Sequence, residues 1–103
     1  MQLEVFPNPL ARAQGAYPYI VVLQADVAAV GRERIVAFLA PHAAVGHVTG
    51  RLMPSVILNG QSYVVLMPSM TNVPVSRLRD PVGNLQAYRE SILDAIDATF
   101  VGG

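Results

Sequence analysis

Apolar and polar positions along this chain follow two successive periods, first that of strands and then that of a helix. Leu3-Glu4-Val5-Phe6 forms a short run that stops at Pro7-Asn8-Pro9, where proline withdraws the amides a sheet ladder uses. This predicts a first strand over Leu3 to Phe6 and a loop to about Ala16. Tyr17 to Leu23 and Ile35 to Leu39 are rich in aromatic and β-branched residues, with a break at Gly31-Arg32 between them, so each predicts a further strand.

The sharpest local signal is Asn59-Gly60, because a two-residue type I′ turn requires positive φ at both central positions and this pair adopts it at little cost. Pairing outward from the turn opposes Leu58 to Gln61, Ile57 to Ser62, Val56 to Tyr63 and Ser55 to Val64. The resulting hairpin has arms Ser55 to Leu58 and Gln61 to Met67. Pro68 is expected to close the second arm, Val73-Pro74-Val75 to form at most a short edge segment, and Asp80-Pro81 with Gly83 to turn the chain. Beyond that turn, Leu85, Tyr88, Ile92, Ile96 and Phe100 recur at three- and four-residue steps, the stripe of an amphipathic helix. Gly102 and Gly103 end it, and its stripe is expected to lie mainly in the core. About five short strands followed by one helix predict an α+β domain, mainly β: a curled antiparallel sheet or small barrel with a carboxy-terminal helix packed on it.

Composition narrows the functional classes. A chain of 103 residues makes one domain, residues 1–103, and its seven arginines balance seven acids without a single lysine. The broad cationic field that grips nucleic acid is therefore missing. The absence of cysteine excludes disulfides, thiolate nucleophiles and cysteine zinc sites. Glu4 stands where a signal peptide needs a basic start and an apolar run, so secretion is not expected. The uncharged stretch from Leu52 to Ser76 is interrupted by Pro54, Asn59, Gly60, Gln61, Ser62, Pro68 and Asn72, whereas a spanning helix needs about 20 largely apolar residues. It reads as buried sheet rather than membrane. Because 52% of so short a chain is hydrophobic, some apolar surface should remain outside the core, and a homodimer is the simplest way to cover it.

Candidate chemistry is sparse. His42 and His47 lie in a predicted loop with no neighbouring Cys, Asp or Glu, so no metal site is assigned. Ser55, Ser62, Ser69, Ser76 and Ser91 sit in no nucleophile elbow, and neither a catalytic residue nor a cofactor is assigned. In the last helix Glu90, Asp94 and Asp97 run toward the negative end of the helix dipole with no basic residue after Arg89. That face is either merely solvated or awaits a cationic partner.

In order and spacing, a set of short marks resembles the CcdB family, toxins of plasmid-type toxin–antitoxin systems. The marks are Met1-Gln2, Leu3 to Phe6, Val21-Val22-Leu23-Gln24-Ala25-Asp26, Gly31-Arg32, Leu52-Met53-Pro54 and the Asn59-Gly60 hairpin. They continue through Met70, Val73-Pro74-Val75-Ser76, Leu85, Ile92, Ala95-Ile96, Phe100 and Gly102. The resemblance implies an SH3-like antiparallel β-barrel with a carboxy-terminal helix, a twofold homodimer with Ile96, Thr99 and Phe100 at its interface, a cytoplasmic location, and no catalysis by the toxin itself. It implies a type II toxin–antitoxin toxin that binds the DNA gyrase A subunit and traps the gyrase–DNA cleavage complex, in the service of plasmid maintenance. A cognate CcdA-like antitoxin would neutralise it and contact DNA for the pair when they repress their operon, so DNA is met only indirectly.

The resemblance assigns gyrase contact to Val101, Gly102, Gly103 and Arg89, and antitoxin contact to the stretches Asn8 to Ala16 and Pro41 to Gly50. Three of the gyrase positions depart from the pattern. Family chains end in Trp-Gly-Ile, whose ring stacks on a gyrase arginine, a contact worth about 0.5 to 2 kcal/mol. Here Val101 replaces the Trp, Gly102 keeps the middle glycine, and Gly103 replaces the Ile. Arg89 stands where the family carries an acid. The alternative implied is a homologue of the same fold that binds antitoxin and co-regulates its operon but no longer poisons gyrase.

Overall fold

A computed structural model describes residues 1–25, 31–46 and 50–101, with the backbone alone at Val101. Six antiparallel strands form one sheet: β1 (Glu4–Pro7), β2 (Tyr19–Val22), β3 (Glu33–Pro41), β4 (Ser55–Leu58), β5 (Gln61–Pro74) and β6 (Gly83–Asn84). Their order is β4-β5-β3-β2-β1-β6. A one-turn helix α1 (His42–Val45) follows β3, and α2 (Arg89–Val101) closes the described chain. The mainly-β architecture with a terminal helix agrees with the sequence reading. The predicted end of α2 at Gly102 and Gly103 lies outside the described residues, as does His47.

The hairpin forms in the expected register, Leu58 opposite Gln61 through Ser55 opposite Val64. Its turn has φ 52 at Asn59 and 81 at Gly60, the positive values a type I′ turn demands. Pro68, by contrast, does not end β5. Phe38 pairs with Leu66 and Val36 with Thr71, so residues 67–70 stand opposite Ala37 alone in a large bulge. Pro68 sits in that bulge, exposed, where no ladder amide is needed. Beyond it β5 continues, pairing Val73 with Arg34 and Pro74 with Glu33. The predicted edge segment is thus the far end of β5, and Val75 already belongs to a 3-10 turn, Val75–Arg77.

The remaining corrections concern element ends. β3 is longer than Ile35 to Leu39, β2 is shorter than Tyr17 to Leu23, and the expected loop at His42 contains α1. The strands carry near-continuous apolar runs because both faces of the sheet are covered. Val5, Val21, Ala37 and Leu39 point into one core with Leu85, Ile92 and Ala95. Phe6, Ile20, Val22 and Val36 alternate onto the other face, under Leu78 and Phe38.

The sheet curls until its edges, β4 and β6, nearly meet. The Ile57 amide donates to the Tyr88 hydroxyl at 3.1 Å, and Asn59 Nδ2 donates to the Val82 carbonyl at 3.2 Å. At this seam a Cβ on Gly83 would lie 2.9 Å from Leu58 Cδ1, so glycine permits the close approach. The seam therefore holds through side chains rather than a ladder, giving a nearly closed barrel.

Candidate functional site

Helix α2 is built on the seam. A 3-10 turn, Gln86–Tyr88, leads into it, and Leu85 and Ile92 are fully buried while Tyr88 and Ile96 pack partly against the same core. Ala95, outside the predicted stripe, is also fully buried and lets the helix lie close to the barrel. The stripe leaves the core at its end: Phe100 is 72% exposed. A helix turns about 100° per residue, so a stripe of mixed three- and four-residue steps does not stay over a barrel that curves away beneath it.

Phe100 faces a shallow groove of about 470 Å³ that it shares with Ile35, Pro68, Met70, Thr71 and Asn72. Ile35 is itself exposed, and the bulge in β5 is what brings Pro68 and Met70 into this face. Of the two other expected interface residues, Ile96 is half-buried against the core, and Thr99 is half-buried with its hydroxyl donating to the Ala95 carbonyl at 2.7 Å. The sequence reading did not nominate Ile35, Pro68 or Met70, because only the bulge and the curl of the sheet place them beside Phe100.

The acidic face of α2 carries its own cation. Arg51 Nε donates to Asp94 Oδ2 at 2.9 Å and Arg51 Nη2 to Asp94 Oδ1 at 2.8 Å, a two-pronged pair between half-exposed side chains. The hydrogen bond from Arg51 holds the Asp94 carboxyl below the usual carboxylate range, and Arg51 is raised in turn. This resolves one of the three acids, since Asp94 is partnered inside the chain. No sequence signal marks the pair, which joins residues far apart along the chain.

The four expected gyrase contacts do not gather at one point. Arg89 begins α2 and Val101 ends it, about 18 Å apart along the axis at 1.5 Å per residue. Arg89 is exposed and tied to the amino terminus, its Nη1 donating to Gln2 Oε1 at 3.1 Å. Gln2 in turn receives Gln86 Nε2 on its carbonyl and donates its own Nε2 to the Leu23 carbonyl. The side chain of Val101, and Gly102 and Gly103, lie outside the described residues.

Of the two stretches expected to meet an antitoxin, the first is tightly organised by Asn8, which is fully buried. Its Nδ2 donates to the Tyr17 carbonyl at 2.8 Å, and its Oδ1 accepts from the Leu10 amide at 2.9 Å. Gln14 Nε2 closes on the Asn8 carbonyl at 2.6 Å. The Asn-Pro dipeptide was the available signal, since asparagine commonly bonds the backbone two residues on. The second stretch places His42 on α1, exposed beside Gln61 and Ser62.

Among the described residues no three His, Cys, Asp or Glu side chains gather around a metal-sized space, and no helix is long and apolar enough to cross a membrane. What this surface offers is contact rather than chemistry: a well-anchored helix, an exposed aromatic ring at its far end, and ordered loops. These are the attributes of a small protein-binding barrel. The sequence model of the family described as CcdB protein matches residues 2–102, and the chain belongs to the CcdB family. That family consists of toxins of toxin–antitoxin systems, which are not themselves enzymes. No curated protein matches the sequence.

Proposed function

We propose that this chain is the toxin of a type II toxin–antitoxin system, acting in the cytoplasm as a homodimer that binds the DNA gyrase A subunit and traps the cleaved gyrase–DNA complex. A cognate antitoxin would neutralise it and carry the DNA contacts of operon control. The observation that carries the reading is the family match across residues 2–102.

The geometry supports it in two ways. Buried Ile92 and Ala95, the Arg51 grip on Asp94 and the Tyr88 contact at the seam fix α2 on the barrel, so presenting its far end costs little ordering entropy. The exposed face of Phe100, Ile35 and Met70 has the character of a self-complementary patch, and twofold pairing on it would bring two α2 ends together. Without the family's aromatic tip, contact through Val101-Gly102-Gly103 would rest on close backbone approach, which glycine allows.

The test is a cleavage assay with the purified protein, supercoiled DNA and the gyrase of its own host, scoring trapped double-strand breaks. Breaks that vanish when residues 101–103 are removed are expected. A folded dimer that traps nothing would replace this reading with the second one, an antitoxin-binding homologue whose poisoning tip has been lost. That second reading is favoured by one observation, the replacement of Trp and Ile by Val101 and Gly103.

A further inference from the structure

The arginines of this neutral chain are unevenly placed. Arg32 and Arg34 line a groove of about 510 Å³ with Gly31, Pro74, Val75 and Ser76. On the other side of the Val75–Arg77 turn, Arg77 and Arg12 line a second groove, of about 560 Å³, with Pro9, Leu10 and Tyr17. Arg79 Nε donates to the Ser76 carbonyl at 3.2 Å, which ties a further guanidinium to the ridge between them. Five of the seven arginines thus surround one 3-10 turn.

None of the five has a carboxylate partner among the described residues, whereas Arg51 has one. Arg34 is the most constrained. Its Nη1 donates to the carbonyls of Gly31 at 3.0 Å and Glu33 at 2.8 Å, and its Nε is buried with no partner. Main-chain carbonyls therefore fix the group in place without supplying a counter-charge. A cation pinned and partly desolvated in this way attracts an anion more strongly than a mobile one in water does. The planar fork of arginine suits a carboxylate in particular.

We propose that the two grooves and the Val75–Arg77 ridge between them form a docking surface for an extended acidic peptide segment. Its carboxylates would meet Arg32, Arg34 and Arg77, and its alternating apolar side chains would settle on Pro74, Val75, Leu10 and Tyr17. Alternation of that kind is how an extended strand presents its two faces. The apolar floors between the charges favour a peptide over a phosphate backbone, which has nothing to place there. Zero net charge also denies the chain the long-range field that draws in nucleic acid. Arg32, Arg34, Ser76 and Arg77 lie in neither stretch that the family resemblance assigns to an antitoxin. The inference deepens the antitoxin reading by naming a surface, and it stands on peptide binding alone, whereas the gyrase reading stands on trapped breaks.

The experiment is fluorescence anisotropy on the full chain with a short labelled peptide of alternating Glu and Val, interrupted by Pro to keep it extended. A counterpart with Gln for Glu and a short labelled DNA duplex are run beside it. The Glu peptide is expected to bind with an affinity that falls as salt rises. Arg32→Gln with Arg77→Gln should weaken it by roughly tenfold or more, for the loss of two charge-assisted contacts. Arg34 is left intact in that variant because its carbonyl contacts also hold the start of β3, and thermal melting confirms that the variant is folded. Arg32→Lys with Arg77→Lys should fall between the two, keeping the charge but losing the fork. Equal binding of the Gln peptide, unchanged binding by the Arg→Gln variant, equal or tighter binding of the duplex, or no binding of the Glu peptide at the highest soluble protein concentration would each overturn the proposal.

Discussion

Arg51 and Asp94 meet through both prongs of the guanidinium, at 2.9 and 2.8 Å, and so fasten the segment before β4 to the middle of α2. Because Asp94 titrates below its ordinary range when folded, the pair contributes stability above the unfolded carboxyl's pKa and loses it as pH falls through the lower folded value. Arg51, being raised, stays charged throughout that window. The melting difference between the wild-type chain and Arg51→Gln should therefore be present at neutral pH, shrink with acid below the carboxylate range, and shrink with added salt. A difference independent of pH would mean that Arg51 acts through packing alone.

Phe100 should decide the oligomeric state. Truncation by Phe100→Ala removes an exposed ring that touches little of its own core, so the fold and its cooperativity should persist. Dimerisation should weaken by roughly 10- to 100-fold, the range of an aromatic anchor at an interface. Sedimentation equilibrium measures this directly, and Ile35→Glu on the opposite wall of the groove should act in the same direction. Unchanged self-association in both variants would place the dimer elsewhere.

Asn8 should prove the costliest polar residue to remove. Asn8→Ala leaves the Tyr17 carbonyl and the Leu10 amide without their partner inside the fold, a loss of about 2 to 3 kcal/mol in urea unfolding. Limited proteolysis should then cut at Arg12 well before global unfolding, because the loop loses its anchor while the barrel remains. Resistance at Arg12 equal to that of the wild-type chain would show that the loop orders itself.

Gly60 offers a backbone test. At φ 81 any side chain is strained even though the space around it is empty, so Gly60→Val should cost about 1 to 2 kcal/mol with no change of register. Gly15, which has no positive φ and equally open space, should accept alanine with little change. Matched chemical denaturation of the two variants separates strain from crowding.

The hairpin was legible in the sequence to the residue, because its register depends on a two-residue turn and the residues beside it. The same is true of the switch to a helix after Leu85 and of the apolar strands. The continuation of β5 through Pro68 was not legible. Proline excludes a ladder amide, but whether that position needs one depends on β3, which contributes only Ala37 opposite the bulge. The solvated or partnered alternative for the acids of α2 was open for a similar reason, since the cation that meets Asp94 comes from a loop remote in sequence.

By itself, then, the sequence determined what local periodicity and backbone chemistry can specify: a mainly-β domain, a type I′ hairpin, a terminal amphipathic helix and the marks of the CcdB family. Tertiary structure alone decided which apolar residues remain uncovered and which charges find partners. Phe100 belongs to a buried stripe by spacing and to an exposed face in space, and Arg34 is an ordinary strand residue until two carbonyls pin it beside its groove. Exposure and pairing depend on the curl and closure of the whole sheet, which join residues distant in the chain, and no local pattern encodes those distances.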